Sequence, residues 1–327
     1  MHPDIFKRLD AGDPIRFAAK AQHVLVTGGT GFIGQQLIHA LLADGHRVTV
    51  LTRAPERATK LFDEKVGAFQ SLDAIPTSDA VDIVVNLAGA RILGLRWTAA
   101  RKEALLRSRV TLTQNLVRWI GSLQQKPRLL LSASAIGYYG VQPQGDDRLL
   151  SETSPPQSVF MSELCQAWEQ AAAAAATEHG VPVTCLRFGL VLGHAGALPM
   201  MLVPVRMGLG GRLGTGRQWV SWIHIHDLLR TMAHALQDTD PAPFRVYNVT
   251  APEQVRQFDF SKTAARLLNR PCLLPTPAWP LRLTLGEQSD VLLEGQRVEP
   301  ARLLAEGFAF THGTLEGAFK SLGIGTR

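Results

Sequence analysis

The chain has 327 residues, 46% of them hydrophobic and 19% charged, with a formal net charge of +6. That is length and apolar content enough for a large core in two lobes, which excludes a disordered or fibrous protein. Lys and Arg are scattered and no apolar run approaches the roughly 18 residues of a membrane span, so a small, anion-bearing ligand is the expected partner, not nucleic acid or a membrane.

Residues 1–22 carry Asp4, Asp10 and Asp13 and no apolar core, which argues against a cleaved leader and for an arm or short helix packed on the first lobe. Val24-Leu25-Val26 marks a strand at 23–27, and Leu37, Ile38, Leu41 and Leu42 carry a helical pattern over 31–44. Further strands are expected at 47–51, around 66–70, at 82–87, 128–133 and 182–188, with helices at 98–123 and 158–179. The run from Ala171 to Ala176 belongs to the second of these helices, because alanine is the strongest helix former, and it allows close packing on a sheet. Strands alternating with helices predict an α/β fold built on a doubly wound parallel Rossmann sheet. Past Gly193 the chain turns glycine-rich through Gly208, Gly210, Gly211, Gly214 and Gly216, then predicts a strand at 218–225, a helix at 227–237 and a strand at 244–249. The expected division is an arm at 1–22, a dinucleotide-binding Rossmann domain at 23–250, and a small helical lobe at 251–327, with 193–217 contributing to this smaller C-terminal cap. The cysteines, Cys165, Cys185 and Cys272, are odd in number and widely spaced, which predicts reduced thiols and a cytoplasmic setting.

The segment Thr27-Gly28-Gly29-Thr30-Gly31-Phe32-Ile33-Gly34 follows the first strand and opens the first helix, the arrangement that holds a dinucleotide pyrophosphate. Gly28 permits the tight turn, Gly31 lets the backbone approach the phosphates, and Gly34 lets helix and sheet pack closely. Free N–H groups at the start of the helix face the anion. At the end of the second strand an NAD protein usually places Asp or Glu for the ribose hydroxyls, but here stand Thr52-Arg53, with Arg57 one turn later. A guanidinium clamps a 2′-phosphate and accepts nothing from a hydroxyl, so NADP(H) is expected over NAD(H). The alternative is that both arginines are solvated surface charges.

With TGGTGFIG, the tetrapeptide Asn86-Leu87-Ala88-Gly89, SAIGYYG at 134–140, LRFGLVLG at 186–193 and GRQWVSWIHIHDL at 216–228 resemble the extended short-chain dehydrogenase/reductases. The tail PAWPLRLTLGEQSDVLLEGQRVEPARLLAEGFAF at 277–310 narrows the likeness to an atypical, uncharacterised epimerase-family group, sugar-nucleotide-epimerase-like and sometimes labelled a cell-division inhibitor, which carries a C-terminal domain of unknown function. The resemblance spans roughly residues 23 to 322 and implies that Asn86, Leu87, Ala88 and Gly89 join the cofactor site. In the wider family a Tyr, a Lys four residues later and a Ser or Thr after the fifth strand move the proton that accompanies hydride transfer, since an alkoxide forming beside a nicotinamide needs an acid. Ser134 falls at the serine position and Tyr138 four residues on. With Glu169 aligned to the acidic residue that often follows the family Lys, Met161 falls at the Tyr and Cys165 at the Lys, so the usual dyad is missing. Arg109 stands near where relatives often have Asn.

The candidates left for proton transfer are Ser134, Tyr138, beside its neighbour Tyr139, and Glu163 on the helix expected to face the cofactor. Each has a plainer alternative: a serine satisfied by backbone, a pair of aromatic wall residues, an exposed helix charge. Cys165 reads as core packing. His224 and His226 alternate on the expected strand, but no third ligand stands at a suitable spacing, so no metal is expected, and Asp227 reads as the cap of the next helix. Arg212, Arg217, Gln218 and Trp219 either line the substrate cleft or form a surface loop. The leading functional reading is an NADP(H)-binding oxidoreductase or epimerase-like enzyme whose small-molecule substrate is not specified. The others are a non-catalytic NADP(H)-binding regulator or scaffold, and a conventional NAD-dependent nucleotide-sugar epimerase, which the missing dyad and Arg53 both disfavour.

Overall fold

In the computed structural model, which describes residues 14–325 apart from 77, 78 and 95, most of the expected arm (residues 1–13) lies outside the described residues. Residues 14–22 are not helical. Phe17 is buried, its amide donates to Asp44 Oδ2 at 2.7 Å, and its ring stands edge-on to His46.

The first half of the chain forms β1 (His23–Thr27), α1 (Phe32–Ala43), β2 (Arg47–Leu51), α2 (Pro55–Leu61), β3 (Gly67–Phe69), β4 (Ile83–Asn86), α3 (Ala99–Leu106), α4 (Leu112–Ser122), β5 (Leu129–Ala135) and α5 (Phe160–His179). There follow β6 (Val183–Phe188), β7 (Leu190–Leu192), α6 (Leu198–Arg206), β8 (Trp219–Val220), β9 (Trp222–His224), α7 (Ile225–Gln237) and β10 (Phe244–Val249). The C-terminal part adds β11 (Val255–Arg256), α8 (Gln257–Leu267), α9 (Ala278–Leu285), α10 (Asp290–Leu293), α11 (Ala301–Ala305) and α12 (Leu315–Ser321).

Seven strands make one parallel sheet in the order β10-β6-β5-β4-β1-β2-β3. The order reverses between β1 and β4, so the loops leaving these two strands diverge and open a crevice at their carboxyl ends. Both faces of the sheet are covered, which is why its central strands are apolar on both sides. Val24, Val26, Ile83, Val85, Leu129 and Leu131 enter the core shared with α1 and α7; Leu25, Val84 and Leu130 enter that shared with α4 and α5. Ala172 and Ala175 of the alanine run are fully buried in the second core.

Two expected elements are divided. The helix at 98–123 is α3 and α4 joined by a π-helical turn, Arg107–Thr111. The strand at 218–225 breaks at Ser221: β8 pairs antiparallel with β11, and β9 pairs parallel with β7. The cause is tertiary. The Ser221 hydroxyl donates to the Gln296 carbonyl at 2.8 Å and accepts from the Val298 amide at 2.9 Å, so a C-terminal segment takes the place of a continuous ladder.

The C-terminal region packs α8 and α12 with α6 around Trp222, Phe260 and Phe319. It also reaches the loops at the carboxyl ends of β4 and β5. Gln142 bridges to Gly295 and Leu150 to Val298; Gln288 Nε2 donates to the Ile92 carbonyl at 2.7 Å; the Gln296 side chain donates to the Gly140 carbonyl; and Lys102 pairs with Glu287. These contacts tie down the loops that follow β4 and β5, the first of which flanks the crevice. Among the described residues no helix is long and apolar enough to cross a membrane.

Candidate functional site

The turn after β1 is built by close backbone packing. Gly28 has φ +70°, and a Cβ on it would lie 2.6 Å from the Leu87 carbonyl oxygen, so the turn rests directly on the Leu87-Ala88 backbone. A Cβ on Gly34 would lie 2.4 Å from the Gly28 oxygen, which is how α1 comes to sit against the turn, while Gly29 faces Ile38 and Val50. Gly31 differs: it is exposed, and a Cβ there would approach only the Gly28 oxygen, at 3.2 Å. It caps α1 with no side-chain bond and with no acidic residue in the first turn, leaving the leading N–H groups and the positive end of the helix dipole open to an anion. A dinucleotide pyrophosphate fits this cradle.

The other expected cofactor residues take distinct places. The Thr30 carbonyl is held by Gln35 Nε2 at 2.8 Å. Ile33 packs on the core, and Phe32 fills the space beside Gly193 and Gly196. Leu87 and Ala88 are half-buried beneath the turn, and Gly89 is exposed beyond them. The side chains of Thr27 and Asn86 are turned into the sheet: Thr27 Oγ1 donates to Asn86 Oδ1 at 2.7 Å, and Asn86 Nδ2 donates to Thr113 Oγ1 at 2.8 Å. Both are buried, so they place the turn without presenting a side chain to a ligand. Arg53 and Arg57 are exposed at the end of β2 and the start of α2, and among the described residues neither is drawn into an ion pair.

Ser134 lies near the carboxyl end of β5 and is 2% exposed. Its hydroxyl donates to Glu169 Oε1 at 2.6 Å. Glu169 is in turn held at both oxygens by Arg187, with Nε and Nη2 each at 2.8 Å. Arg187 Nη1 donates to Tyr139 Oη at 3.0 Å, and that hydroxyl donates to Asn248 Oδ1 at 2.6 Å. Burial pushes the Tyr139 phenol up to about 12, and its hydrogen is already committed to Asn248. Tyr138 is the opposite case. It is half-buried, its ring lies 3.3 Å from the Arg187 guanidinium carbon, and its hydroxyl makes no hydrogen bond among the described residues.

Glu163 stands apart from this buried network. It is exposed in the first turn of α5, while Ser162, Cys165 and Glu169, spaced by three, four and seven residues, share the inward face. The carboxylate that meets Ser134 is therefore Glu169. Following the helical period from Cys165 would have found it; Arg187 and Asn248, on β6 and β10, have no local signal that joins them to Ser134. Met161 and Cys165 pack beneath Gly137, whose Cβ position is 3.0 Å from Met161 Cε and 3.7 Å from Cys165 Sγ. Burial and then the Glu169 charge push the Cys165 thiol up to about 12, so it is a packing residue.

The two tyrosines are separable by stability. Tyr139→Phe leaves Asn248 Oδ1 and one Arg187 donor without their partner and is expected to cost about 1–3 kcal/mol, read as a lower urea midpoint. Tyr138→Phe, which removes no hydrogen bond, is expected to stay within about 0.5 kcal/mol. The reverse order would show that the wrong phenol has been assigned to the buried network.

Residues 24–250 match the NAD dependent epimerase/dehydratase family, and residues 276–322 match a domain of unknown function, DUF1731. The chain belongs to the NAD dependent epimerase/dehydratase family. It is 37% identical over 307 residues to the epimerase family protein YfhF of Bacillus subtilis, covering 92% of this chain and 97% of that one. It is 38% identical over 309 residues to the chloroplastic SDR39U1 homolog of Arabidopsis thaliana, covering 91% and 86%. A crystal structure of human epimerase family protein SDR39U1 with NADPH superposes with a TM-score of 0.79 at 34% identity, covering 93% of this chain and 99% of that one. Family membership makes the chain an NAD(P)-binding protein.

In this epimerase-family chain the histidine pair is not a strand pair. α7 starts at Ile225, so His226 lies on a helix, and the cap of that helix is His224, whose Nδ1 accepts from the His226 amide at 3.1 Å. Asp227 serves another segment: buried in the first turn, it accepts from the Thr311 amide at 2.9 Å and the His312 amide at 2.7 Å. Among the described residues no group of three His, Cys, Asp or Glu side chains is placed to hold a metal. Arg212 and Arg217 are exposed. Gln218 is buried and donates to the Leu213 and Leu292 carbonyls at 3.1 and 3.2 Å. Trp219 has Arg256 and Arg297 against its ring, at 3.6 and 4.5 Å. A cavity of about 630 Å³ borders Trp219, Glu253, Arg256, Asp259 and Glu316, and no residue of the glycine turn lines it. Arg256 is paired with Asp147 and Glu316 with Arg266 and Lys320, so these two side chains already have counter-charges.

Proposed function

We propose that the chain is an NADP(H)-dependent oxidoreductase or epimerase-like enzyme acting on a small-molecule substrate. The observation that carries this reading is the pair of exposed guanidinium groups of Arg53, just past β2, and Arg57, in the first turn of α2, neither ion-paired among the described residues, where an acidic residue would otherwise meet the ribose. The human relative solved with NADPH supports it. The free thiols of Cys165, Cys185 and Cys272 favour a reducing, cytoplasmic setting.

Gly31 and the first amides of α1 hold the pyrophosphate, and Arg53 and Arg57 take the 2′-phosphate. When bound, the reduced nicotinamide supplies a hydride. Tyr138, with its hydroxyl uncommitted, donates the accompanying proton to a substrate oxygen. Ser134, 2% exposed, gives its own hydrogen to Glu169, so its oxygen keeps only acceptor lone pairs. Glu169 positions that serine and is itself held at both oxygens by Arg187.

NADPH is expected to bind at least about tenfold more tightly than NADH, equivalent to about 1.4 kcal/mol, and Arg53→Ala to remove most of the difference. Fluorescence titration measures both. Equal affinities, or an unaltered preference in Arg53→Ala, would reject NADP(H) as the cofactor. With a turned-over substrate, Tyr138→Phe is expected to lower kcat by about 10²–10⁴ while NADPH affinity holds. A second reading, a non-catalytic NADP(H)-binding regulator, is favoured by the inert pair Met161 and Cys165 beneath Gly137. A broad carbonyl and hydroxyl screen without any transfer of deuterium from labelled NADPH would put that reading first.

A further inference from the structure

α3 and α4 would be one helix but for the π-helical turn Arg107–Thr111, which carries Arg109 inward. A π turn holds an extra residue at the expense of regular hydrogen bonding and is found frequently at functional sites. Arg109 is 7% exposed. Its guanidinium lies 5.2 Å from the Trp168 ring centre and 3.1–3.3 Å from where a Cβ on Gly89 would stand. Gly89 directly follows Leu87 and Ala88, the residues on which the glycine turn rests, so this cation lines the same crevice.

Its bonds go to neutral oxygens: the Ala90 carbonyl at 2.9 Å, the Ser108 hydroxyl at 3.3 Å and the Leu105 carbonyl at 3.4 Å. The comparison with Arg187 is direct. Both arginines are buried, but Arg187 is held at two points by Glu169, whereas Arg109 has no carboxylate partner among the described residues. Burial lowers its pKa to about 10, so it keeps its charge at neutral pH. A buried cation without a counter-ion is costly, and an anion arriving at its open edge removes that cost.

We propose that Arg109 is an anion-binding residue of the crevice, taking a phosphate or carboxylate oxygen at the Gly89–Ala90 edge. The proposal rests on the dinucleotide reading above, and the oxygen has two possible sources, the pyrophosphate of the cofactor or an acidic group of the substrate. Arg109→Gln keeps an N–H donor for the Ala90 carbonyl and removes the charge; Arg109→Lys keeps the charge. Folding of each is checked by circular dichroism. If the pyrophosphate is the source, NADPH binding weakens at least about tenfold in Arg109→Gln and stays within about threefold in Arg109→Lys, the fold-changes expected of a charge-assisted contact. If the substrate is the source, NADPH affinity is unchanged, and thermal stabilisation of the NADPH-saturated protein by phosphate or acetate, measured against acetamide, is lost in Arg109→Gln.

A folded Arg109→Gln that matches the wild type in both measurements overturns the proposal. Should that variant fail to fold, the wild type alone decides: phosphate must stabilise the ligand-free protein saturably beyond chloride at equal ionic strength, and its failure to do so overturns the proposal. Failure of the dinucleotide reading looks different, because then the wild type itself does not bind NADPH or Arg53→Ala changes nothing.

Discussion

Gly31→Val is expected to raise the Kd for NADPH at least about hundredfold, a loss of about 2.8 kcal/mol, in a protein whose fold is intact. Gly31 is exposed and a Cβ there meets only the Gly28 oxygen at 3.2 Å, so the ligand-free chain accommodates it with a small adjustment. The branched side chain then stands over the bare first turn of α1, where the pyrophosphate belongs. Gly34→Val is the contrasting case. Its Cβ would stand 2.4 Å from the Gly28 oxygen and 2.7 Å from the Gly29 Cα, so the helix must move off the turn. Overpacking of this kind costs about 1–3 kcal/mol or more, and Gly34→Val is expected to lose stability and cofactor together. Urea unfolding and NADPH titration on both variants separate the effects; a folded Gly31→Val with wild-type affinity would mean the turn does not hold the cofactor.

Arg187→Met is expected to destabilise by about 3–5 kcal/mol. The methionine keeps the volume of the stem but leaves the Glu169 carboxylate buried with only the Ser134 hydroxyl at 2.6 Å, and it strips Tyr139 of a donor at 3.0 Å. The loss spreads because the network continues through Asn248 to the C-terminal region: the Asn248 amide donates to Glu152 Oε1 at 3.0 Å and its side chain to the Glu299 carbonyl at 3.0 Å. Combining Arg187→Met with Glu169→Gln removes the stranded charge as well, so the double variant should be more stable than the sum of the single losses predicts. Strict additivity in urea midpoints would show that the two residues do not act as a pair.

Much of this was open to reading from local sequence. Val24-Leu25-Val26 and Arg47 to Leu51 are strands at the positions their apolar pattern predicts, and β10 occupies the expected 244–249. The glycine turn and the C-terminal tail are legible as residue patterns, and residues 24–250 and 276–322 match the corresponding families. The side-chain partnerships were not open in the same way. Glu163 and Glu169 lie on one helix whose period sets them on different faces, and the packing of α5 on β5 brings the Glu169 face to Ser134. Arg187 joins them from a strand whose neighbour was unknown until the sheet order was set. His226 and Asp227 fall on a helix because α7 begins before them, capped by His224 and buttressed by the 311–312 backbone. The π turn is the clearest instance: its extra residue shifts the phase of everything after it, so no period read from 98–123 places Arg109 against Gly89. Periodicity reports which face of an element is apolar, whereas the pairing of polar groups across elements depends on distances of a few tenths of an ångström that exist only once the elements have packed.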